Sequence, residues 1–154
     1  MTHQRKRHQD WMQIALEQAR LAAAQGEVPV GAVLVDAQDN LIAAAGNRRE
    51  QDWDPTAHAE MVVLRWGGAK RRNWHFLDCR LYVTLEPCPM CAAAICQARV
   101  GEVIYGADDP KAGALGSVIN LPSSPGCFHR PRILAGIEEL ACQEIITRWF
   151  QKHR

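Results

Sequence analysis

No stretch of these 154 residues contains the roughly 18 consecutive apolar side chains that a membrane-crossing helix requires. The opening residues 1–10 are charged and polar, with no apolar segment behind them that could serve as an export signal. The alanine-rich stretch that follows is broken by Glu17 and Arg20. These absences predict a protein without membrane association, working in the cytoplasm. Neither sign of charge is in excess, since 18 Lys and Arg against 17 Asp and Glu leave a formal +1. A balance so close to zero does not announce a nucleic-acid binder, although it leaves room for a local basic face. Basic residues gather at 5–7, at 70–72 and at Arg148, Lys152 and Arg154, and such clusters are more often solvated surface than a site. Cysteine is sparse: six in a chain this long, with no export signal, point to thiols or metal ligands rather than a disulfide framework. Internal repeats, low-complexity tracts and linkers are missing as well. One domain spanning 1–154 is the expectation.

What is present is ordinary globular material, with 47% hydrophobic and 23% charged residues. A chain of this size buries roughly two thirds of its unfolded surface and needs no staples. Apolar residues Trp11, Ile14, Ala15, Ala19, Ala22 and Ala23 recur at helical spacing and predict a helix over 9–25, stopped by Gly26. Residues 28–35 are β-branched and almost continuously apolar, as a strand buried on both faces should be. A polar turn at 36–40 leads to a hairpin partner at 41–46. Further elements are predicted as a helix over 57–66 ended by Gly67 and Gly68, a strand over 80–85, a helix over 88–98 and a strand over 100–105. The long Gly-, Ser- and Pro-rich stretch 108–131 reads as a functional loop. A short strand over 132–135 and a helix over 137–151 complete the chain, the helix carrying Ile137, Leu140, Ala141, Ile145 and Trp149 on one stripe. Strands alternating with helices predict an α/β fold, a mixed sheet of about five strands covered by helices on both faces.

Two short segments carry chemistry. One is Asp54-Pro55-Thr56-Ala57-His58-Ala59-Glu60; the other is Thr84-Leu85-Glu86-Pro87-Cys88-Pro89-Met90-Cys91. Cys88 and Cys91 are three apart at a helix start, so both thiols project to one side, where the helix N-terminus favours the thiolate form that binds metal. With His58 they make a set of one nitrogen and two sulfurs, which suits zinc. Three protein ligands leave a position open for water, as catalysis needs, whereas a structural site wants a fourth ligand, a place Cys79 or Cys96 could fill. Glu60 is long enough to take a proton from water whose pKa zinc lowers towards ~7, and to return it to a ring nitrogen and a leaving amine. Positions two apart diverge on a regular helix, so His58 and Glu60 can meet only through the geometry of the helix's first turn.

H-x-E followed later by P-C-x-x-C is the signature of zinc nucleobase deaminases, so this match is a resemblance rather than a derivation. The sequence resembles the bacterial tRNA adenosine deaminases, and the likeness runs from the first helix to the last. It includes residues 27–35, Gly46-Asn47-Arg48, 54–60, 81–91, Gly106-Ala107, Asp109, Lys111, 113–117, Pro125-Gly126 and His129-Arg130. The resemblance implies a cytidine deaminase-like, three-layer α/β/α fold, one zinc per chain held by His58, Cys88 and Cys91, and Glu60 as the proton shuttle. It further implies that Asn47 bonds the flipped base, that Val30 lines its pocket, and that Asp109 and Lys111 touch the neighbouring nucleotides. The implied activity is hydrolysis of the wobble adenosine to inosine in a tRNA anticodon stem-loop, by a homodimer. Two positions depart from the family pattern: Phe128 stands where an asparagine is expected, and Arg49 where a proline is.

His129 and Arg130 suit phosphate contact. Trp149 and Phe150 suit either stacking on RNA or packing against the sheet. Trp53 suits a lid or a stacking surface, while Met61 and Met90 suit the core, and Cys79, Cys96, Cys127 and Cys142 suit buried thiols. A cytidine, dCMP or guanine deaminase would use the same zinc machinery, and a non-catalytic RNA-binding subunit would keep zinc without needing Glu60.

Overall fold

Alternating side chains divide the sheet between two cores. Ala32, Leu34, Leu81, Val83, Val103 and Tyr105 pack in one, and Val33, Val35, Tyr82 and Ile104 in the other. This is the period-two pattern of strands covered on both faces. The computed structural model describes residues 2–153; Met1 and Arg154 lie outside the described residues. The strands are β1 (Gly31–Val35), β2 (Leu41–Gly46), β3 (Arg80–Leu85), β4 (Glu102–Ala107) and β5 (Arg132–Leu134). They form a five-stranded sheet in the order β2-β1-β3-β4-β5. Its β1 pairs antiparallel with β2 and β3, while β3, β4 and β5 run parallel. The helices are α1 (His3–Ala24), α2 (Ala59–Arg71), α3 (Pro89–Gln97) and α4 (Glu139–Lys152). Residues of α2 and α3 fill the first core, and those of α1 and α4 the second, so helices cover both faces as the α/β pattern predicts.

Several boundaries differ from the sequence reading, each for a physical reason. Helix α1 begins six residues earlier than predicted, because Thr2 caps it by accepting from Arg5 N at 3.2 Å and Lys6 pairs with Asp10 one turn on at 2.5 Å. Helix α2 runs straight through Gly67 and Gly68 to Arg71, where Arg72 in the left-handed conformation ends it. A Cβ on Gly67 would lie 2.6 Å from Leu34 Cδ2, so this glycine permits close helix–sheet packing rather than stopping the helix. Strand β4 starts two residues late, since Val100 and Gly101 bond instead to Ile95 O and Phe76 O. Leu140, assigned to the buried stripe of the last helix, is 78% exposed. The helix begins only at Glu139, and Cys142 is the side chain that seats it on β4, where a Cβ on Gly106 would meet Cys142 Sγ.

Among the described residues no helix is long and apolar enough to cross a membrane. Cys79, Cys96 and Cys142 are buried free thiols, and Cys127 is half-buried.

Candidate active site

The parallel strands β3 and β4 end at the same edge of the sheet where antiparallel β1 begins. Their following loops and the starts of α2 and α3 converge there, at the carboxyl ends where open α/β sheets place their ligands. His58 is the N-cap of α2, with φ −66° and ψ 153°, and Cys88 is the N-cap of α3, with φ −73° and ψ 173°. Both are extended residues one step outside a helix. That step removes the difficulty raised by spacing: His58 does not obey the helical period, so it and helical Glu60 can face one site. The approach to His58 is pinned by Asp54, whose Oδ1 accepts from Thr56 N at 2.8 Å and Thr56 Oγ1 at 2.7 Å. Pro89 follows Cys88 at the first helical position, where its fixed φ suits a helix start.

His58 Nδ1 lies 3.5 Å from Cys88 Sγ and 3.4 Å from Cys91 Sγ. The three donor atoms all sit within 4.8 Å of one another. Tetrahedral zinc, with Zn–N of about 2.0 Å and Zn–S of about 2.3 Å, requires N···S separations of about 3.5 Å. The triad therefore fits a single zinc ion in both donor chemistry and spacing. Neither Cys79 nor Cys96 joins the cluster.

The electrostatics match a ligand set. The Cys88 thiol is drawn down to about 4, chiefly by the hydrogen bond from Cys91, with further help from His58. Cys91 is pushed up by that same bond and by burial. His58 is raised by its bond to Cys88, against the opposing effect of burial. Glu60 is only 4% exposed, and burial pushes its carboxyl above the ordinary range.

A cavity of about 300 Å³ opens in front of the triad. Its walls include Val30, Asn47, His58, Glu60, Cys88 and Asp109, which sequence reasoning singled out. Asn47 is buried, donates its backbone N–H to Val30 O at 3.0 Å, and accepts from Arg49 N at 3.4 Å through Oδ1. Asp109 Oδ1 accepts from Lys111 N at 2.9 Å and Ala112 N at 3.2 Å, shaping its own turn. Lys111 is exposed and does not line the cavity. His129 is directed elsewhere, bonding Val100 O at 2.7 Å, and Arg130 Nε donates to Pro122 O at 3.1 Å. Neither reaches the cavity.

Phe150, left open between stacking and packing, lines the cavity and is 49% exposed. Its neighbour Trp149 instead stacks on His153, with ring centroids 4.1 Å apart. Trp53 is 93% exposed and covers nothing, so it is not a closed lid. Met61 and Met90 are half-buried and line no part of this cavity.

Residues that sequence reasoning gave no role also shape the site. Arg49 and Glu86 are cavity walls. Buried Glu27 accepts from Glu50 N at 3.1 Å and Gln51 N at 2.9 Å, which fixes the loop between Asn47 and His58. No local pattern marks these carboxylates, because their partners lie more than twenty residues away.

The model of the cytidine and deoxycytidylate deaminase zinc-binding region matches residues 5–107. The chain belongs to this deaminase family. Within it, the deaminase is similar to a tRNA-specific adenosine deaminase of Agrobacterium fabrum, 44% identical over 144 residues that cover 94% of each chain. A solved structure from studies of A-to-I editing by tRNA:A34 deaminases at the wobble position is 45% identical. It matches with a TM-score of 0.86 over 88% of this chain and 98% of that one. A guanine deaminase structure from Bacillus subtilis is 34% identical, with a TM-score of 0.62 over 70% of this chain and 66% of that one. The family's metal is zinc, and the His58, Cys88 and Cys91 triad is positioned to bind one ion.

Proposed function

We propose that this deaminase hydrolyses the wobble adenosine of a tRNA anticodon to inosine and ammonia, with residues 1–154 acting as one domain in the cytoplasm. The observation that carries the reading is one small cavity in which a metal triad, a buried carboxyl and a buried amide meet. Likeness to a tRNA-specific adenosine deaminase along nearly the whole chain supports adenosine in tRNA as the substrate. A volume of about 300 Å³ is at the small end for ligand sites and suits a single extruded base.

Zinc held by His58, Cys88 and Cys91 would supply Lewis acidity, which brings hydroxide within reach at neutral pH. Glu60 takes the proton from the attacking water and delivers it to N1 of adenine as C6 is attacked; it then carries a proton to the departing amino group. Burial suits Glu60 to both tasks, because it keeps the carboxyl out of bulk water at the cavity wall beside His58 and Cys88. Asn47 presents an amide, able to donate and accept at a purine edge. Val30 gives the base an apolar wall, and Phe150 offers a face for stacking at the cavity's rim. The position of Asp109 on the cavity wall supports contact with a nucleotide beside the target, and phosphate is the natural partner of the exposed Lys111 and Arg130 and of the half-buried His129.

A homodimer is part of this reading. An open groove between α2 and α3, in which Met61, Leu64, Trp74 and Phe76 stand beside Arg65, Arg72, Asn73 and Gln97, is the surface this reading gives to a second copy. Light scattering of the purified protein tests it.

The function is tested by incubating the zinc-loaded protein with an anticodon stem-loop carrying adenosine at the wobble position, beside free adenosine, cytidine and guanine. Mass spectrometry should find inosine in the stem-loop alone. Conversion of a free base or nucleoside with the stem-loop untouched would leave the metal chemistry standing and overturn the substrate.

A further inference from the structure

Glu86 directly follows β3, on the way to the cysteines of the metal triad, yet it takes no part in the proposed chemistry. It is buried, and both of its oxygens are occupied. Oε1 accepts from Asp109 N at 3.1 Å and from the Ser117 hydroxyl, and Oε2 accepts from Leu115 N at 3.0 Å and Ser117 N at 3.1 Å. A carboxylate offers about four acceptor sites, so this one is saturated by the two ends of a single loop. The loop closes tightly over it: a Cβ on Gly113 would stand 2.4 Å from Glu86 Cδ and Oε1. Asp109 and Ala112, which line the cavity, are carried on that loop.

We infer that Glu86 is a positioning residue, clasping the loop of residues 109–117 so that Asp109 and Ala112 hold the nucleotides flanking the target adenosine. The inference rests on the wobble-deamination reading and adds to it the device that builds the flank-binding wall. Glu86 carries no proton in the reaction, because its lone pairs already receive backbone and hydroxyl donors. A glutamine cannot replace it. One of its two ends would be an NH₂, set against N–H groups that need an acceptor, and a buried donor left without a partner is strongly unfavourable.

The test uses the zinc-loaded protein and the same anticodon stem-loop. In Glu86→Gln, KM should rise roughly tenfold or more, the cost of losing charge-assisted bonds, with a smaller fall in kcat. Amide exchange across 109–117 should accelerate by at least a comparable factor, while zinc stays at one per chain. Gly113→Ala, whose Cβ would meet the intact Glu86 carboxylate at 2.4 Å and Asp109 O at 2.6 Å and so push the loop away, should give the same signature. Combining the two should be no worse than the stronger single change, because both break one clasp. Ser117→Ala, which removes only the hydroxyl bond, should shift KM less, and it keeps the test open should Glu86→Gln fail to fold. Unchanged exchange, or faster exchange with KM unmoved, would overturn the inference. So would loss of zinc with a fall in kcat alone, since Glu86 would then act through the metal site. A wild-type chain inert towards the stem-loop overturns the deamination reading together with this one; normal wild-type turnover with an unaltered variant KM overturns this one alone.

Discussion

Replacing Glu60 with glutamine isolates proton transfer from everything else in the site. The side chain is 4% exposed at the first turn of α2, and an amide matches its shape, so no cavity opens and no neighbour must move. The three donor atoms remain, because Glu60 contributes none of them, and a glutamine keeps a polar group beside Cys91. What disappears is a group able to receive a proton from water and release it twice, first to the ring and then to the leaving amine. Positioned acid–base groups contribute about 10²- to 10⁴-fold, and at about 1.36 kcal/mol per decade the barrier should rise by roughly 2.7 to 5.4 kcal/mol. The fold should not weaken, since burial already disfavours the charged carboxylate that the substitution removes. Single-turnover deamination of the stem-loop reads kcat, metal analysis reads zinc, and thermal unfolding reads the fold. A variant with full zinc and turnover within threefold of the parent (well under the roughly hundredfold floor expected) would refute Glu60 as the proton carrier.

Stripping zinc with a chelator should abolish turnover and lower the unfolding temperature, with one equivalent of zinc restoring both; activity surviving in metal-free protein would contradict the mechanism. Phe150→Ala should raise KM for the stem-loop about fivefold or more, as loss of one stacking face does, whereas Leu140→Ala on the outer surface of the same helix should leave it alone. Stem-loop affinity should fall linearly with the logarithm of salt concentration, and a flat response would argue for a free nucleoside as substrate. His8 is buried against Tyr82 Oη at 2.8 Å, and burial depresses its pKa despite Glu102 and Asp39, which raise it, while Arg7 and Arg80 reinforce the depression. The unfolded chain therefore takes up a proton first as pH falls through about 6.5, and stability should drop below that point. Denaturant melts between neutral pH and about pH 5 should show a gentler decline for His8→Gln, and parallel slopes would rule out His8 as the source.

The candidate site was legible in the sequence because it is local. His58 with Glu60, and Cys88 with Cys91, sit in short segments whose spacing alone suggests a metal and a base. The sheet was legible for the same reason, since strand alternation needs only neighbouring residues. What spacing could not give was any contact made across the chain. Glu86 reaches Asp109, Leu115 and Ser117, and Glu27 reaches Glu50 and Gln51, with nothing in the intervening residues to reveal it. Gly67 misled because a glycine in a helix reads as a stop; its real reason, the side chain of Leu34 lying against it, belongs to another element. The same holds for His129, whose imidazole could not be assigned to Val100 O until the fold placed the two together.

The metal ligands occupy positions that helices normally use for their own stability. An N-cap side chain usually turns back to accept from the exposed N–H groups of the first turn, which is worth about 1 kcal/mol. His58 and Cys88 are both N-caps, and neither makes such a bond. Two helices therefore begin uncapped by side chains, a cost of about 2 kcal/mol in all. Zinc bound by cysteine and histidine contributes on the order of 10 kcal/mol, enough to offset that several times over. The arrangement also gives geometry that helical ligands would lack. With an extended residue at each helix start, the N-termini of α2 and α3 converge on the donor set of His58, Cys88 and Cys91, which would hold one zinc ion. Those ends favour the thiolates and any negative charge that develops on the substrate. Replacing His58 or Cys88 with a better-capping residue would strengthen its helix and lose a ligand, because these two stand where the backbone is not yet helical, while Glu60 and Cys91 follow in the first turn of the same helices.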